Sequence, residues 1–205
     1  MKIVFPRGRM LDSAVKLMRE AIPELSIKNN RELVHTNGKY QILLAKPTDV
    51  PTYVREGGDL GVTGRDVVRE RSPDVFIPLS LPFGECRISV ARMRDDPTPP
   101  EEMEGYRIAT EYPSITREYF LSLDVPVEII VLDGSTELAP RAGIADAVVD
   151  VVQTGNTLRA NGLVEAGKIM ESSALLLVNR IAQKTKFEQI NALIYSIREV
   201  IRDEA

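Results

Sequence analysis

Chemistry is most concentrated in Ala145-Asp146-Ala147-Val148-Val149-Asp150-Val151-Val152-Gln153-Thr154-Gly155-Asn156-Thr157-Leu158. Its apolar half reads as a buried strand, which runs through Thr154, Gly155, Asn156 and Thr157 into a segment of helical character. Such a loop sets two hydroxyls and several backbone N–H groups at a helix start, where an anion such as phosphate is stabilised. Gly155 lets a phosphate approach the main chain closely. Asp150, near the strand end, is placed to accept hydrogen bonds from sugar hydroxyls. The plainer alternative is a helix start capped by Thr154 or Asn156. These residues by themselves leave both readings open.

Three further segments carry reactive side chains. Gly57-Gly58-Asp59-Leu60-Gly61-Val62-Thr63-Gly64-Arg65-Asp66 reads as a short strand ending at Thr63-Gly64, with Asp66 in the next turn. It forms either one wall of a ligand site or tight turns between short elements. Pro6-Arg7-Gly8-Arg9 follows a strand and precedes a helix, a place where arginines can pair bidentately with phosphate oxygens. Exposed arginines also begin many helices, and Arg31 after Asn29-Asn30 is equally open. Glu137, in Gly134-Ser135-Thr136-Glu137-Leu138-Ala139-Pro140, sits early in a short helix.

The familiar nucleotide loops are absent. No GxxxxGK[ST] occurs, and Gly58, Gly61 and Gly64 are spaced three apart rather than as GxGxxG. His35 is the single histidine and Cys86 the single cysteine. An intramolecular disulfide, a Cys/His zinc site and a Ser–His or Cys–His catalytic pair are therefore excluded.

The elements that must position these residues follow an α/β pattern. The 205 residues carry Lys+Arg 26 and Asp+Glu 30, a net charge of −4, with 43% hydrophobic residues. At ~150 residues per domain this is one large domain or two small lobes. Apolar runs at 2–5, 40–46, 59–63, 75–79, 86–92, 106–110, 126–132, 145–152 and 174–179 read as strands. Helical spacing between them includes Ala14, Leu17, Met18 and Ala21, and a helix capped by Asp49 with Pro51 in its first turn. Phe187, Ile190, Ile194, Ile197 and Ile201 form one stripe on a helix expected over 184–203, facing a core or an interface.

The segment 93–102 holds three prolines and four acids and is a domain crossover or a surface loop. No apolar run approaches the ~20 residues of a membrane span, and the N-terminal apolar stretch is too short for a signal-peptide core. A cytoplasmic chain is expected, with no membrane partner. The mild acidity argues against nonspecific nucleic-acid binding.

In order along the chain, these segments resemble one family, the ATP phosphoribosyltransferases. Pro6-Arg7-Gly8-Arg9-Met10 is similar to that family's PKGRL, and Asp49-Val50-Pro51-Thr52-Tyr53-Val54 to its DVPxYV. Asp59 to Asp66 resembles DxGxxGxD, Arg107-Ile108-Ala109-Thr110-Glu111-Tyr112-Pro113 resembles RIATxYP, and Gly134 to Pro140 resembles GSxELAP. Ala145 to Leu163 resembles the family's phosphoribosyl-pyrophosphate loop. Arg7 stands where lysine is usual, and Gln153 where an acid is frequent.

The resemblance implies a two-lobed α/β fold similar to type II periplasmic binding proteins, with the active site in the interlobe cleft. Residues 1–92 plus 175–205 would form the first lobe and 93–174 the second, with 93–102 near the first crossover. It also implies the short catalytic form, paired with a histidyl-tRNA-synthetase-like regulatory subunit, and a homodimer of catalytic chains. The implied reaction joins ATP to phosphoribosyl pyrophosphate with Mg²⁺ carried by the substrate, at the first step of histidine biosynthesis. Thr154, Gly155, Asn156 and Thr157 would hold the 5′-phosphate, and Asp150 and Glu137 the ribose hydroxyls. Arg9 and Arg31 would neutralise phosphates, with Thr63 and Asp66 along the nucleotide. Two rivals use the same loop: a non-catalytic small-anion sensor of the same fold, and a phosphoribosyltransferase for another base.

Overall fold

The computed structural model describes residues 1–26 and 32–203. The chain divides into two compact units, Met1–Gly84 with Ser173–Ala205, and Glu85–Ser172. It begins with β1 (Lys2–Pro6), α1 (Leu11–Ala21), β2 (Val34–Asn37), β3 (Tyr40–Ala45), α2 (Val50–Glu56), β4 (Leu60–Gly64), α3 (Arg65–Arg71) and β5 (Phe76–Ser80). The second unit holds β6 (Cys86–Met93), β7 (Arg107–Thr110), α4 (Pro113–Ser122), β8 (Glu128–Val131), β9 (Ala147–Val152), α5 (Asn156–Ala160) and β10 (Leu163–Ser172). The chain then returns to the first unit as β11 (Ala174–Val178), α6 (Arg180–Thr185) and α7 (Phe187–Asp203). Among the described residues no helix is long and apolar enough to cross a membrane.

The first unit is built on a six-stranded sheet in the order β2-β3-β1-β4-β11-β5. Its central strands are buried on both faces, which is why they read as unbroken apolar runs. Alternation sorts each strand between two layers. Ile3 and Phe5 pack with Ala174, Leu176 and Val178 against α1 and α7, while Val4, Leu175 and Leu177 pack against α2. Of the terminal stripe, Ile190, Ile194 and Ile197 are buried in this core, so the stripe faces a core; Phe187 is 59% exposed. The single helix expected over 184–203 is two, because Lys186 interrupts it and sends its Nζ to both oxygens of buried Asp59 at 2.8 Å.

The second unit carries a five-stranded sheet in the order β10-β6-β9-β7-β8. One face packs Ile88, Val90, Ile108, Ala147 and Val149 against α4, through Ile115 and Phe120. The other packs Ala91, Ala109, Val148 and Val152 against Ala139, Leu158 and Leu163. Ser89 and Asp150 are paired directly across β6 and β9. Period-two alternation therefore sets both on the second face, beneath α5 and the loop before it.

Two strands escaped the sequence reading. β2 is a short edge strand joined to β3 by Gly38-Lys39, and the Asn37-Gly38 pair is a hairpin signal. β10 is an edge strand of mixed composition whose register breaks between Glu165 and Gly167 and between Lys168 and Met170, which hides its alternation. The unit boundaries fall at 84/85 and 172/173 rather than at 92/93 and 174/175. The reason is that β6 is hydrogen-bonded to β9 and β10 along its length. The proline-rich stretch is accordingly not a crossover. It lies within the second unit, pinned where Asp96 Oδ1 accepts from Thr98 N at 2.9 Å and Tyr106 donates to Thr98 Oγ1 at 2.9 Å.

Candidate functional site

In the second unit the chain leaves β9 at Val152 and reaches α5 through Gln153, Thr154 and Gly155. Gly155 occupies the N-cap position with φ +73°, a left-handed conformation that costs a side-chain-bearing residue and is open to glycine. Gly155, rather than Thr154 or Asn156, stands at the N-cap position, and the one side-chain bond to the helix start is a long one in which Thr154 Oγ1 accepts from Asn156 N at 3.4 Å. Arg159 reaches back, with Nη2 donating to Thr154 O at 3.0 Å and to Asn156 Oδ1 at 2.5 Å. Thr154, Asn156 and Thr157 are exposed. α5 has only five residues, so its macrodipole is small. The attraction for an anion rests instead on the two threonine hydroxyls and on the first N–H groups, which a helix start leaves without intrahelical acceptors.

Asp150 lies beneath this loop and is held from two sides. Its Oδ2 accepts from Thr136 Oγ1, and its Oδ1 accepts from Val151 N at 2.6 Å. Burial pushes its carboxyl above the ordinary range and the Glu137 charge adds to this, while the two hydrogen bonds oppose it. Thr136 is fully buried and opens a 3₁₀ turn, Thr136–Leu138, which carries half-buried Glu137 beside Asp150. Glu111 joins the same group. Its carboxyl is also raised, first by burial and then by the charges of Asp150, Asp133 and Glu137. Carboxylates that disfavour one another's ionisation next to an anion loop suit a ligand that brings hydroxyl donors or cations with its phosphates. Sequence reasoning passed over Glu111, Thr136 and Arg159. All three lay inside quoted motifs, but Glu111 and Thr136 show their place only when β7, β9 and the 3₁₀ turn are assembled, and Arg159 only when α5 folds back on the loop.

The first unit holds the other expected residues. β1 and β4 are adjacent and parallel, so the turn after β1 and the start of α3 share the carboxyl edge of that sheet. Arg9 is exposed in that turn, which closes through Leu11 N donating to Gly8 O at 3.0 Å. Asp66 is buried in the first turn of α3 and folds back over Gly64, where a Cβ would lie 2.1 Å from its Oδ1. Thr63 is fully buried, and its hydroxyl donates to Pro47 O at 2.7 Å, tying β4 to the turn before α2. Arg31 lies outside the described residues. Among the described residues no three His, Cys, Asp or Glu side chains are arranged to hold a metal ion.

Comparison with known proteins gives the family and the fold. The family described as "HisG: ATP phosphoribosyltransferase" matches residues 46–199. The ATP phosphoribosyltransferase of Thermococcus gammatolerans is 56% identical over 205 residues, covering all of both chains. A solved ATP phosphoribosyl transferase (HisG:HisZ) complex from Thermotoga maritima superposes with a TM-score of 0.86 at 29% identity, covering 99% of each chain. The periplasmic aliphatic sulphonate binding protein SsuA from Escherichia coli superposes with a TM-score of 0.64 at 13% identity, covering 98% of this chain and 72% of that one. The last likeness concerns the fold alone and matches the expected periplasmic-binding-protein architecture.

Proposed function

The chain belongs to the ATP phosphoribosyltransferase family, whose reaction opens histidine biosynthesis, and from that premise we propose how its residues divide the work. N1 of adenine attacks the anomeric carbon of phosphoribosyl pyrophosphate, the carbon–oxygen bond to pyrophosphate breaks, and pyrophosphate leaves from the opposite face. No covalent intermediate on the enzyme is needed. The demands on the protein are to hold the ribose still and to stabilise the charge that collects on the leaving group.

Thr154, Gly155, Asn156 and Thr157 hold the 5′-phosphate, through backbone N–H groups and the hydroxyls. Asp150 and Glu137 accept hydrogen bonds from the ribose hydroxyls. Arg9 neutralises phosphate oxygens, and Arg31 is assigned the same work from its sequence position. Asp66 orders the nucleotide side of the first unit through the start of α3. The observation that supports this assignment is the left-handed Gly155 loop that follows β9, the strand on which Thr136 and Val151 hold Asp150 in place.

Mg²⁺ would enter bound to phosphoribosyl pyrophosphate, where it would offset phosphate charge. The donor set fits such a substrate-borne hard cation, since Glu137 and Asp150 offer carboxylate oxygens beside the loop. A histidyl-tRNA-synthetase-like subunit is the proposed regulatory partner, in line with the Thermotoga maritima complex, and a dimer of catalytic chains is proposed beside it. The substrates are metabolites of the cytoplasm, and we place the protein there.

The direct test incubates the purified protein with ATP, phosphoribosyl pyrophosphate and Mg²⁺ and reads phosphoribosyl-ATP by mass spectrometry. Product is expected only with all three, and chelation of Mg²⁺ should stop it. No product, repeated with the synthetase-like subunit present, would turn the reading toward an anion-binding module. Thr157→Ala separates the substrates within the site. It is expected to raise the KM for phosphoribosyl pyrophosphate, and a change confined to the KM for ATP would move the loop to the other substrate.

A further inference from the structure

Arg87 sits on β6 with its side chain on the face that carries the phosphate loop. Its Nε and Nη2 donate to Glu165 Oε1 and Oε2 at 2.7 and 2.6 Å, a bidentate pair across to β10. Its remaining nitrogen, Nη1, donates to the main-chain oxygen of Gln153 at 3.2 Å. Gln153 is the residue directly before Thr154. Glu165 is itself anchored, because Ser89 Oγ donates to its Oε1 at 2.8 Å and Ser89 is fully buried. One chain of bonds therefore runs from the buried register position opposite Asp150, through Glu165 and Arg87, to the carbonyl at the mouth of the loop.

A guanidinium is planar and rigid, so two nitrogens gripped by one carboxylate fix the direction of the third. Holding the Gln153 carbonyl in turn orients the peptide plane between Gln153 and Thr154, from which the exposed loop departs. Arg87 and Glu165 are each about one-third exposed, at 32% and 29% of side-chain area. A partly exposed ion pair of this kind adds little to global stability. Its geometry, by contrast, is specific.

We propose that Arg87 is a positioning residue for phosphoribosyl pyrophosphate: locked by Glu165 and Ser89, it sets the start of the 154–157 loop through the Gln153 carbonyl and touches no substrate itself. The inference rests on the reading of that loop as the 5′-phosphate site. It also accounts for the tolerance of glutamine at 153, since the contact uses the main chain of that residue.

The test is steady-state kinetics with thermal melting on Arg87→Met, Arg87→Lys, Glu165→Gln and the double variant, with Thr157→Ala in parallel. Arg87→Met is expected to raise the KM for phosphoribosyl pyrophosphate about tenfold, the scale of a small misplacement of a binding group. The KM for ATP and the Tm should stay near the parent values. Arg87→Lys should not rescue, because an ammonium cannot grip a carboxylate bidentately and reach a carbonyl in a fixed direction. Glu165→Gln should move the same constant in the same direction, and the double variant should be no worse than Arg87→Met. Should Arg87→Met fail to fold, Glu165→Gln carries the same expectation.

An unchanged KM for phosphoribosyl pyrophosphate in both Arg87→Met and Glu165→Gln would overturn the role. So would both Michaelis constants rising together with a fallen Tm. If Thr157→Ala weakens phosphoribosyl pyrophosphate and the Arg87 and Glu165 variants do not, the positioning role alone fails. If Thr157→Ala has no effect, the loop assignment fails and this inference falls with it.

Discussion

Asp150→Asn is expected to lower kcat by about 10²-fold, the scale for losing the alignment of a reacting group, while leaving the protein at least as stable at neutral pH. The two halves of this expectation have separate causes. The carboxylate is assigned to the ribose hydroxyls, and an amide offers one acceptor where the carboxylate offers two. Its ionisation in the folded protein is opposed by burial first and by the nearby Glu137 charge as well. A carboxyl raised in this way holds its proton more tightly folded than unfolded. Stability therefore falls as pH rises from the ordinary aspartate range through the raised value, and the full penalty is present above it.

Asparagine carries no such penalty, and the Thr136 hydroxyl can turn to accept from its amide. Melting curves of parent and variant should therefore diverge in favour of the variant at neutral pH and converge in acid. A variant that loses turnover and Tm together would make Asp150 a strut rather than a substrate ligand. Glu111, raised by burial and by Asp150 among other charges, should lose part of its own shift in the variant.

Arg9→Ala is expected to cost about 10²–10³ in turnover, the magnitude for removing one preorganised charge-stabilising donor. Arg9 is exposed in the turn between β1 and α1, and that turn is closed by main-chain hydrogen bonds, so folding should be unaffected. The charge it meets is greatest when pyrophosphate is leaving, which places the loss in kcat more than in binding. Arg9→Lys should recover part of the rate by restoring charge without the planar fork. A loss below tenfold for Arg9→Ala would remove it from the phosphate-neutralising set.

Much of the fold could be read in the chain because buried strands leave a pattern. β1 and β11 are sandwiched between helical layers and appear as Ile3-Val4-Phe5 and Ala174 to Val178 without a polar break. The two strands that were missed, β2 and β10, both lie at sheet edges, although the edge strands β5 and β8 were legible. β10 is additionally bulged, so its apolar residues fall out of step with a period of two. The unit boundary was misplaced for a related reason. Proline and acid mark a loop, yet they say nothing about which sheet the preceding strand joins, and β6 is claimed by β9 and β10.

The chemistry was legible to the same depth. Thr154, Gly155, Asn156 and Thr157 are contiguous, so a polar loop with a glycine after an apolar run is visible in the sequence, although by itself it left a phosphate site and a capped helix start both open. Such local signals, ordered along the chain, determine the family and supply the candidate residues for phosphate and ribose. The tertiary structure alone decided the support beneath them. Thr136 and Asp150 are 14 positions apart, Arg87 and Gln153 66, and Arg87 and Glu165 78. The Arg87 partners meet only because β6 pairs with β9 and β10, and Thr136 meets Asp150 only because its 3₁₀ turn packs on β9; such pairings are set by the packing of whole faces rather than by any residue's neighbours in sequence.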